Sequence, residues 1–438
     1  MTRKPVRRFL STFSTRAKVA TILATIAVTL VVVLAALNLM TGEKPIRRHL
    51  EHLYAIADPQ FQRTLGVLLG PVILPDNRFE VLLNGDRIFP AMLAAIRGAQ
   101  RTITFETYIY WSGRIGDEFA NALAERARAG VKVHVLLDWV GSARMEERLL
   151  REMEDAGIEV RKFHAPHWYT IDKLNNRTHR KLLVVDGVIG FTGGVGIGDE
   201  WSGHAQDPEH WRDTHFRAEG PVVAQMQAVF NDNWTRATGN VLHGEDYFPA
   251  IRPAGSAPGQ MFSSSPSGGS QSMQLMYLLM INAAVRSIEL SSAYFLPDEL
   301  ARDTIVAAVQ RGVRVRVITP GSFTDAALAR RASRALWGDL LRAGVEIYEY
   351  QPTMYHCKVL VVDGLLVSVG STNFDDRSFR LNDEASLNIY DPTFARQQVD
   401  VFEQDLARSR RISLAEWEAR PWTEKAWERA AALLGPQL

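Results

Sequence analysis

The sequence predicts an α/β protein of two related halves, each a mixed, mainly parallel sheet flanked by helices, with an N-terminal membrane-spanning helix in front. Three observations predict it. Strand-like and helix-like stretches alternate, which is the pattern of layered α/β folds. The alternating order is written twice. Residues 19–42 carry no charge, a run long enough to cross a bilayer.

The elements of the two halves follow the same order. Residues 102–110 read as a strand, 118–129 as a helix and, after Gly130, 131–137 as a second strand. A further helix and a short strand led by Gly157 come next. In the second half the strand opens at 287, a helix covers about 298–311, and Gly312 leads into the strand 313–318. A helix and a short strand led by Gly344 complete the match. Each half then reaches the same signature, H-x-K-x-x-x-x-D: His179, Lys181 and Asp186, then His356, Lys358 and Asp363. A matched pair of such motifs signals an internal repeat and a site assembled from two halves.

The match continues beyond the motif. Gly193-Gly194-Val195-Gly196 lines up with Gly370-Ser371-Thr372-Asn373, and Asp213 with Glu384. A Pro/Gly/Ser-rich stretch at 251–259 reads as a linker. The expected division is therefore a basic N-terminus and anchor (1–42), a juxtamembrane segment (43–75), half one (76–250), the linker, half two (260–410) and a helical tail (411–438).

On a strand, residues two apart share a face. His179 and Lys181 point one way and Arg180 the other; His356 and Lys358 do the same, with Cys357 turned away. Asp186 and Asp363 close the motif and stand with the candidate catalytic residues. Each precedes a glycine at a strand end, however, so turn formation is the preferred reading over direct catalysis.

These motifs, with Asn176-Arg177-Thr178-His179, Gly198-Asp199-Glu200-Trp201 and Gly370-Ser371-Thr372-Asn373-Phe374-Asp375-Asp376-Arg377-Ser378, resemble the phospholipase D superfamily. The chain is most similar to bacterial cardiolipin synthases, over roughly residues 76–410. The resemblance implies halves related by a pseudo-twofold axis, with both His/Lys pairs on one phosphate. Two ammonium groups would offset the phosphodiester charge. One imidazole would attack phosphorus and the other would serve as acid and base. The resemblance favours His179 as the nucleophile. It assigns Asp213 and Glu384 to orienting the histidines, and Ser371 and Asn373 to holding phosphate. Gly194 and Gly196 stand at the matching places in half one, where only backbone N–H groups could serve. The chemistry requires no cofactor and no metal, and no pattern such as H-E-x-x-H occurs.

Charge bears on the substrate. Residues 1–42 hold six Lys/Arg and no Asp/Glu, so the net +1 leaves 1 − 6 = −5 on the remainder. An acidic body suits nucleic acid poorly. With an anchor, this favours a lipid phosphodiester, and the resemblance implies phosphatidylglycerol as substrate at a bacterial cell membrane. A hydrolytic phospholipase D is the alternative, and a nuclease of the same superfamily is less favoured. Donor headgroup, acceptor alcohol and oligomeric state stay open at this stage. Six basic residues precede the span, and Lys44, Arg47 and Arg48 follow it beside Glu43, so the catalytic body is expected on the outer, periplasmic side.

Smaller features have plainer readings. Cys357, the single cysteine, reads as buried filler. His167 and His215 are the two further histidines with a chance of lining the pocket. The apolar stretch 61–74 reads equally as a surface-lying segment or as a cover on half one. Trp417, Trp422, Trp427, Leu433 and Leu434 mark a tail helix that packs or touches lipid.

Overall fold

The structure, a computed structural model, describes residues 15–39, 46, 48–165, 175–250, 252–266 and 272–437. The N-terminal helix Thr15–Leu39 has no charged residue after Lys18, and Ala17–Ala36 is long and apolar enough to cross a membrane. At 1.5 Å per residue its apolar span is about 30 Å, the thickness of a hydrocarbon core.

In the catalytic body, half one contributes β1 (Leu74–Leu83), β2 (Thr102–Thr107), β3 (Lys132–Asp138), β4 (Glu159–Phe163), β5 (Arg177–Thr178), β6 (Leu182–Val185), β7 (Ile189–Gly193) and β8 (Thr214–Glu219). Half two contributes β9 (Ala257–Ser264), β10 (Ser287–Ser292), β11 (Phe295–Leu296), β12 (Arg314–Pro320) and β13 (Glu346–Tyr350). It continues with β14 (Lys358–Val362), β15 (Leu366–Gly370), β16 (Phe374–Asp375), β17 (Asn382–Tyr390) and β18 (Ser409–Ile412). All but β11 and β16 join one sheet among the described residues. Outward from the β9–β1 contact the order mirrors itself: β17, β15, β14, β10, β12, β13 on one side and β8, β7, β6, β2, β3, β4 on the other. The repeat in the sequence is thus a repeat in space. Strand β9 begins inside the expected linker, so the connection between halves is shorter than its composition suggested.

The sheet is mixed, but less parallel than expected. Parallel pairing is confined mainly to β2–β3–β4 and β10–β12–β13, where helices make the crossovers. The middle is antiparallel because each motif strand returns through a tight hairpin, β6–β7 or β14–β15. Asp186 and Gly187 open the first turn with φ of 52° and 68°; Asp363 and Gly364 repeat this with 55° and 60°. Positive φ at both positions matches the twist of the paired strands. Asp186 also accepts backbone N–H bonds from Gln100, Arg101 and Thr102 at 2.7–2.9 Å. Asp363 does the same for Val285, Arg286 and Ser287. Each aspartate ties its hairpin to the start of β2 or β10, a geometry that fits the turn reading.

The motif strands are buried on both faces, which explains their unbroken apolar runs. Leu182 and Val184 meet Val359 and Val361 in a central core shared by the halves. Leu183 and Val185 face the half-one core, and Leu360 and Val362 the half-two core. The helix Pro59–Leu69 buries Phe61 and Leu65 against the half-two core, beside Met276 and Tyr277, rather than covering half one. Its Val67 and Leu68 are exposed. In the tail, Trp417 packs and donates to the Arg334 carbonyl at 2.7 Å, while Trp422, Trp427 and Leu433 face outward.

Candidate active site

The motif residues sit where strands run out. His179 to Lys181 form the link between β5 and β6; His356 and Cys357 lead into β14. The alternation holds through these links. Arg177, His179 and Lys181 line one cavity of about 470 Å³, and His356 lines the same cavity from the other half. The opposite face goes to the interior. Arg180 is buried and donates to the Val229 and Ser264 carbonyls at 2.9 and 3.2 Å. Cys357 packs with Ile318, Tyr350, Tyr355 and Phe402, and burial pushes its thiol up to about 12, so it is inert filler.

The orienting carboxylates are exchanged between halves. His179 Nδ1 lies 2.9 Å from Glu384 Oε1, and His356 Nδ1 lies 2.7 Å from Asp213 Oδ2. The backbone enforces this crossing. The β5 strand runs parallel beside the start of β17, and the His179 amide donates to the Asp383 carbonyl at 2.9 Å. Symmetrically, the His356 amide donates to the Arg212 carbonyl at 2.8 Å. With Nδ1–H given to Glu384, the His179 ring keeps its Nε2 lone pair for the cavity, while Asp213 favours the cationic form of His356, which then carries a proton on Nε2.

Each carboxylate is itself held, by different means. Ser371 Oγ donates to Glu384 Oε2 at 2.5 Å and accepts from the Ala385 amide at 3.0 Å. It does not line the cavity, and its hydroxyl is turned to Glu384. Gly194 occupies the matching place in half one, and there the Trp201 indole donates to Asp213 Oδ2 at 2.9 Å. A Cβ on Gly194 would stand 2.2 Å from Asp213 Oδ1, so glycine is required for the carboxylate to fit. Gly196 likewise makes room, here for Ile109 and Trp201. Neither glycine lines the cavity, whereas Asn373 does. Gly194→Ala should cost about 1–3 kcal/mol of stability and slow turnover by displacing Asp213; denaturant unfolding and an activity assay on the same preparation check this.

The lysines are not equivalent. Lys181 donates to its own His179 carbonyl at 2.9 Å and lines the cavity. Lys358 sits behind the His356 ring, 3.2 Å from both ring nitrogens, and donates to the His356 carbonyl at 2.7 Å. Burial and the two ammonium charges hold His179 down at about 4 despite Glu384, so its ring is neutral at physiological pH. Burial and Lys358 lower His356 as well, against the pull of Asp213. Burial would raise Asp213 and Glu384, but the neighbouring histidines and lysines overcome it and keep both ionised.

Burial and the Lys358 charge push Lys181 down to about 7. An oxyanion in the cavity favours the charged ammonium and raises that value. Binding of tungstate at pH 7 should therefore take up about half a proton and weaken as pH rises above 7. Calorimetry in buffers of different ionisation enthalpy measures this uptake; zero uptake would contradict it.

Other histidines are placed plainly. His215 is buried, is lowered to about 3 by burial, and does not line the cavity. His167 lies outside the described residues. Several wall residues were given no role from the sequence: Tyr108, whose ring contacts His179 at 5.2 Å; Trp211, which contacts His356 at 5.5 Å; Asp325; and Arg377, quoted only within a family-like stretch. Only Arg177 was within reach of sequence reasoning, since it lies two residues before His179 on the same face. Among the described residues, no three His, Cys, Asp or Glu side chains converge as a metal site requires.

Mirrored halves, with two carboxylate-oriented histidines opening on one cavity, define a phosphoryl-transfer enzyme of the phospholipase D class. The family described as cardiolipin synthase, PLD-like domain, matches residues 92–234 and 277–406. The major cardiolipin synthase of Bacillus subtilis is 35% identical over 370 residues, covering 84% of this chain and 77% of its own. Cardiolipin synthase A of Pseudomonas fluorescens is 34% identical over 366 residues, covering 83% and 76%. The chain belongs to this family, and is a phosphatidyltransferase of the phospholipase D superfamily. Among solved structures, the phosphatidylserine synthase of Haemophilus influenzae shares the fold, with a TM-score of 0.65 at 15% identity over 86% of this chain and 99% of that one. Family membership and the apolar helix mark a membrane-associated enzyme of phospholipid, with one candidate span among the described residues.

Proposed function

We propose that this protein is a cardiolipin synthase that moves a phosphatidyl group between two phosphatidylglycerol molecules through phospho-His179. The observation that carries the reading is the convergence of His179, Lys181 and His356 on one cavity. His179 Nε2 bonds to phosphorus while the bond from phosphorus to the glycerol oxygen breaks. That oxygen takes the proton of His356, and glycerol leaves. The hydroxyl oxygen of a second phosphatidylglycerol then bonds to phosphorus, the phosphorus–nitrogen bond breaks, and the hydroxyl proton returns to His356. The sum is two phosphatidylglycerols to cardiolipin and glycerol. Lys181 and Asn373 support charge on the phosphate oxygens, Lys358 acts from behind the His356 ring, and no step calls for a metal or cofactor.

Nucleic acid is a poor alternative substrate because the body outside residues 1–42 carries net −5 (1 − 6). The basic flank before the span favours a cytoplasmic N-terminus and a catalytic body on the outer side of the cell membrane. A reporter phosphatase fused to the C-terminus tests the topology; activity only inside the cytoplasm would reverse it. The function is tested with purified protein and phosphatidylglycerol alone. Cardiolipin and glycerol are expected in equal amounts. Phosphatidic acid as the main product would instead make this a hydrolase, and cutting of single-stranded DNA without lipid turnover a nuclease.

A further inference from the structure

The tail helix Trp422–Ala432 has three different sides. At 3.6 residues per turn, each side can be read from the spacing. Ala431 and Ala432 face inward: Ala431 is buried with Leu296, Ala329 and Ala332, and Ala432 and Tyr294 pack against that cluster. Tyr294 also lines the catalytic cavity, where its hydroxyl donates to Asp325 at 2.7 Å. Just beyond the helix, the Gln437 carbonyl accepts from Arg377, another cavity residue, at 3.0 Å. The helix therefore backs the cavity wall.

The outward side carries no charge. Trp422, Trp427, Leu433 and Leu434 are 79%, 68%, 84% and 50% exposed, and only Thr423, Ala426 and Ala430 lie between them around the helix. A contiguous apolar face of this kind is unfavourable in water and marks a contact surface. The third side is cationic. Lys425 and Arg429, one turn apart, line a second cavity of about 340 Å³ with Arg342, Trp417 and Glu418. Its charged lining, among the described residues, is three cations and one carboxylate. Glu418 lies 3.4 Å from Arg342, and the Lys425 ammonium donates to the Glu418 carbonyl at 2.6 Å. The balance of side-chain charge is positive. Lys425 and Arg429 adjoin Trp422 around the helix, so the basic edge and the apolar face are continuous.

Tryptophan on an apolar face, with basic residues along its edge, suits the boundary between lipid headgroups and acyl chains. An anionic leaflet answers both features. A second copy of this chain answers only the apolar one, because it brings the same cations. The substrate class points the same way, since a phospholipid reaches the cavity from a bilayer. We propose that the outward side of the tail helix docks on a leaflet of anionic phospholipid, with Trp422 and Trp427 entering it and Lys425 and Arg429 meeting lipid phosphates. The cavity wall is thereby held beside the bilayer, through a contact that uses no residue of the N-terminal span.

The test uses the full chain in vesicles of phosphatidylcholine with brominated acyl chains, with or without phosphatidylglycerol. Bromine quenches indole emission at membrane depth. The emission of the two tryptophans is the difference between wild type and the Trp422→Phe/Trp427→Phe protein. That difference should be quenched when phosphatidylglycerol is present, and less in phosphatidylcholine alone. In Lys425→Gln/Arg429→Gln protein, the phosphatidylglycerol fraction giving half-maximal quenching should rise by about fivefold or more. Trp422→Ser/Trp427→Ser should raise the surface concentration of long-chain phosphatidylglycerol needed for half-maximal turnover by about tenfold. Turnover of soluble short-chain phosphatidylglycerol should stay unchanged, which shows that the variant is folded. A difference emission that bromine leaves unquenched overturns the proposal, as does equal quenching with and without phosphatidylglycerol. Disulfide capture of one Trp427→Cys chain by another, in place of quenching, gives the face to a second copy and also overturns it. Quenching does not depend on the reaction, so absence of lipid turnover in wild-type protein counts against the functional reading alone.

Discussion

His179→Asn is expected to abolish the covalent phosphoryl-enzyme and to lower turnover by about 10,000-fold or more. The neutral ring of His179, oriented by Glu384 and held at about 4, is the nucleophile in the proposed mechanism. Asparagine keeps the approximate size and polarity but offers no nucleophilic nitrogen. His356→Asn is expected to act differently. It removes the acid that releases glycerol and the base that activates the acceptor, so the adduct forms about 100- to 10,000-fold more slowly, or forms and then persists. Mass spectrometry of acid-quenched protein with labelled lipid reads both outcomes. An adduct mapped to residue 356 in the His179→Asn protein would reverse the assignment.

The second large effect comes from the exchanged carboxylates. Glu384→Gln should resemble loss of His179, even though residue 384 belongs to the other half, and should cost about 100- to 10,000-fold in turnover. Asp213→Asn should resemble loss of His356, with slowed breakdown of the adduct. Removal of the carboxylate leaves the tautomer of the ring unfixed and its cationic form unsupported. Ser371→Ala should give a weaker version of the Glu384 phenotype, about tenfold, because it loosens the carboxylate without removing it. Rapid-quench measurement of adduct formation and decay separates these cases. If Glu384→Gln affected only adduct breakdown, the crossed pairing would be functionally wrong.

The sequence made the repeat legible because strand alternation and glycine-led turns are local properties. Two-residue periodicity also placed His179 and Lys181 on the cavity side and Arg180 and Cys357 on the inner side. The exchange of Asp213 and Glu384 was not legible, because it depends on β5 pairing with β17 across about 200 residues. For the same reason the contact of Ser371 with Glu384 was not legible: the resemblance assigned Ser371 to phosphate, and only the fold brings its hydroxyl to that carboxylate. Trp201 was quoted as part of a family-like stretch, yet nothing local says that its indole replaces the missing hydroxyl of half one. The mainly parallel sheet failed for another reason. The strand–helix pattern dominates the outer elements, whereas the hairpins after Asp186 and Asp363 are short and weigh little in a coarse reading. Lys358 shows the limit of face assignment, since it shares the side of His356 but lies behind the ring.

Two rings from separate halves are expected to act on one phosphorus atom. The most direct measurement is a crystal structure of the protein with tungstate or vanadate in the cavity. One oxyanion is predicted, with the Nε2 atoms of His179 and His356 both within about 3 Å of it and Lys181 on its oxygens. Two separate ions, each touching a single histidine, would contradict the account, as would one ion bound away from both rings.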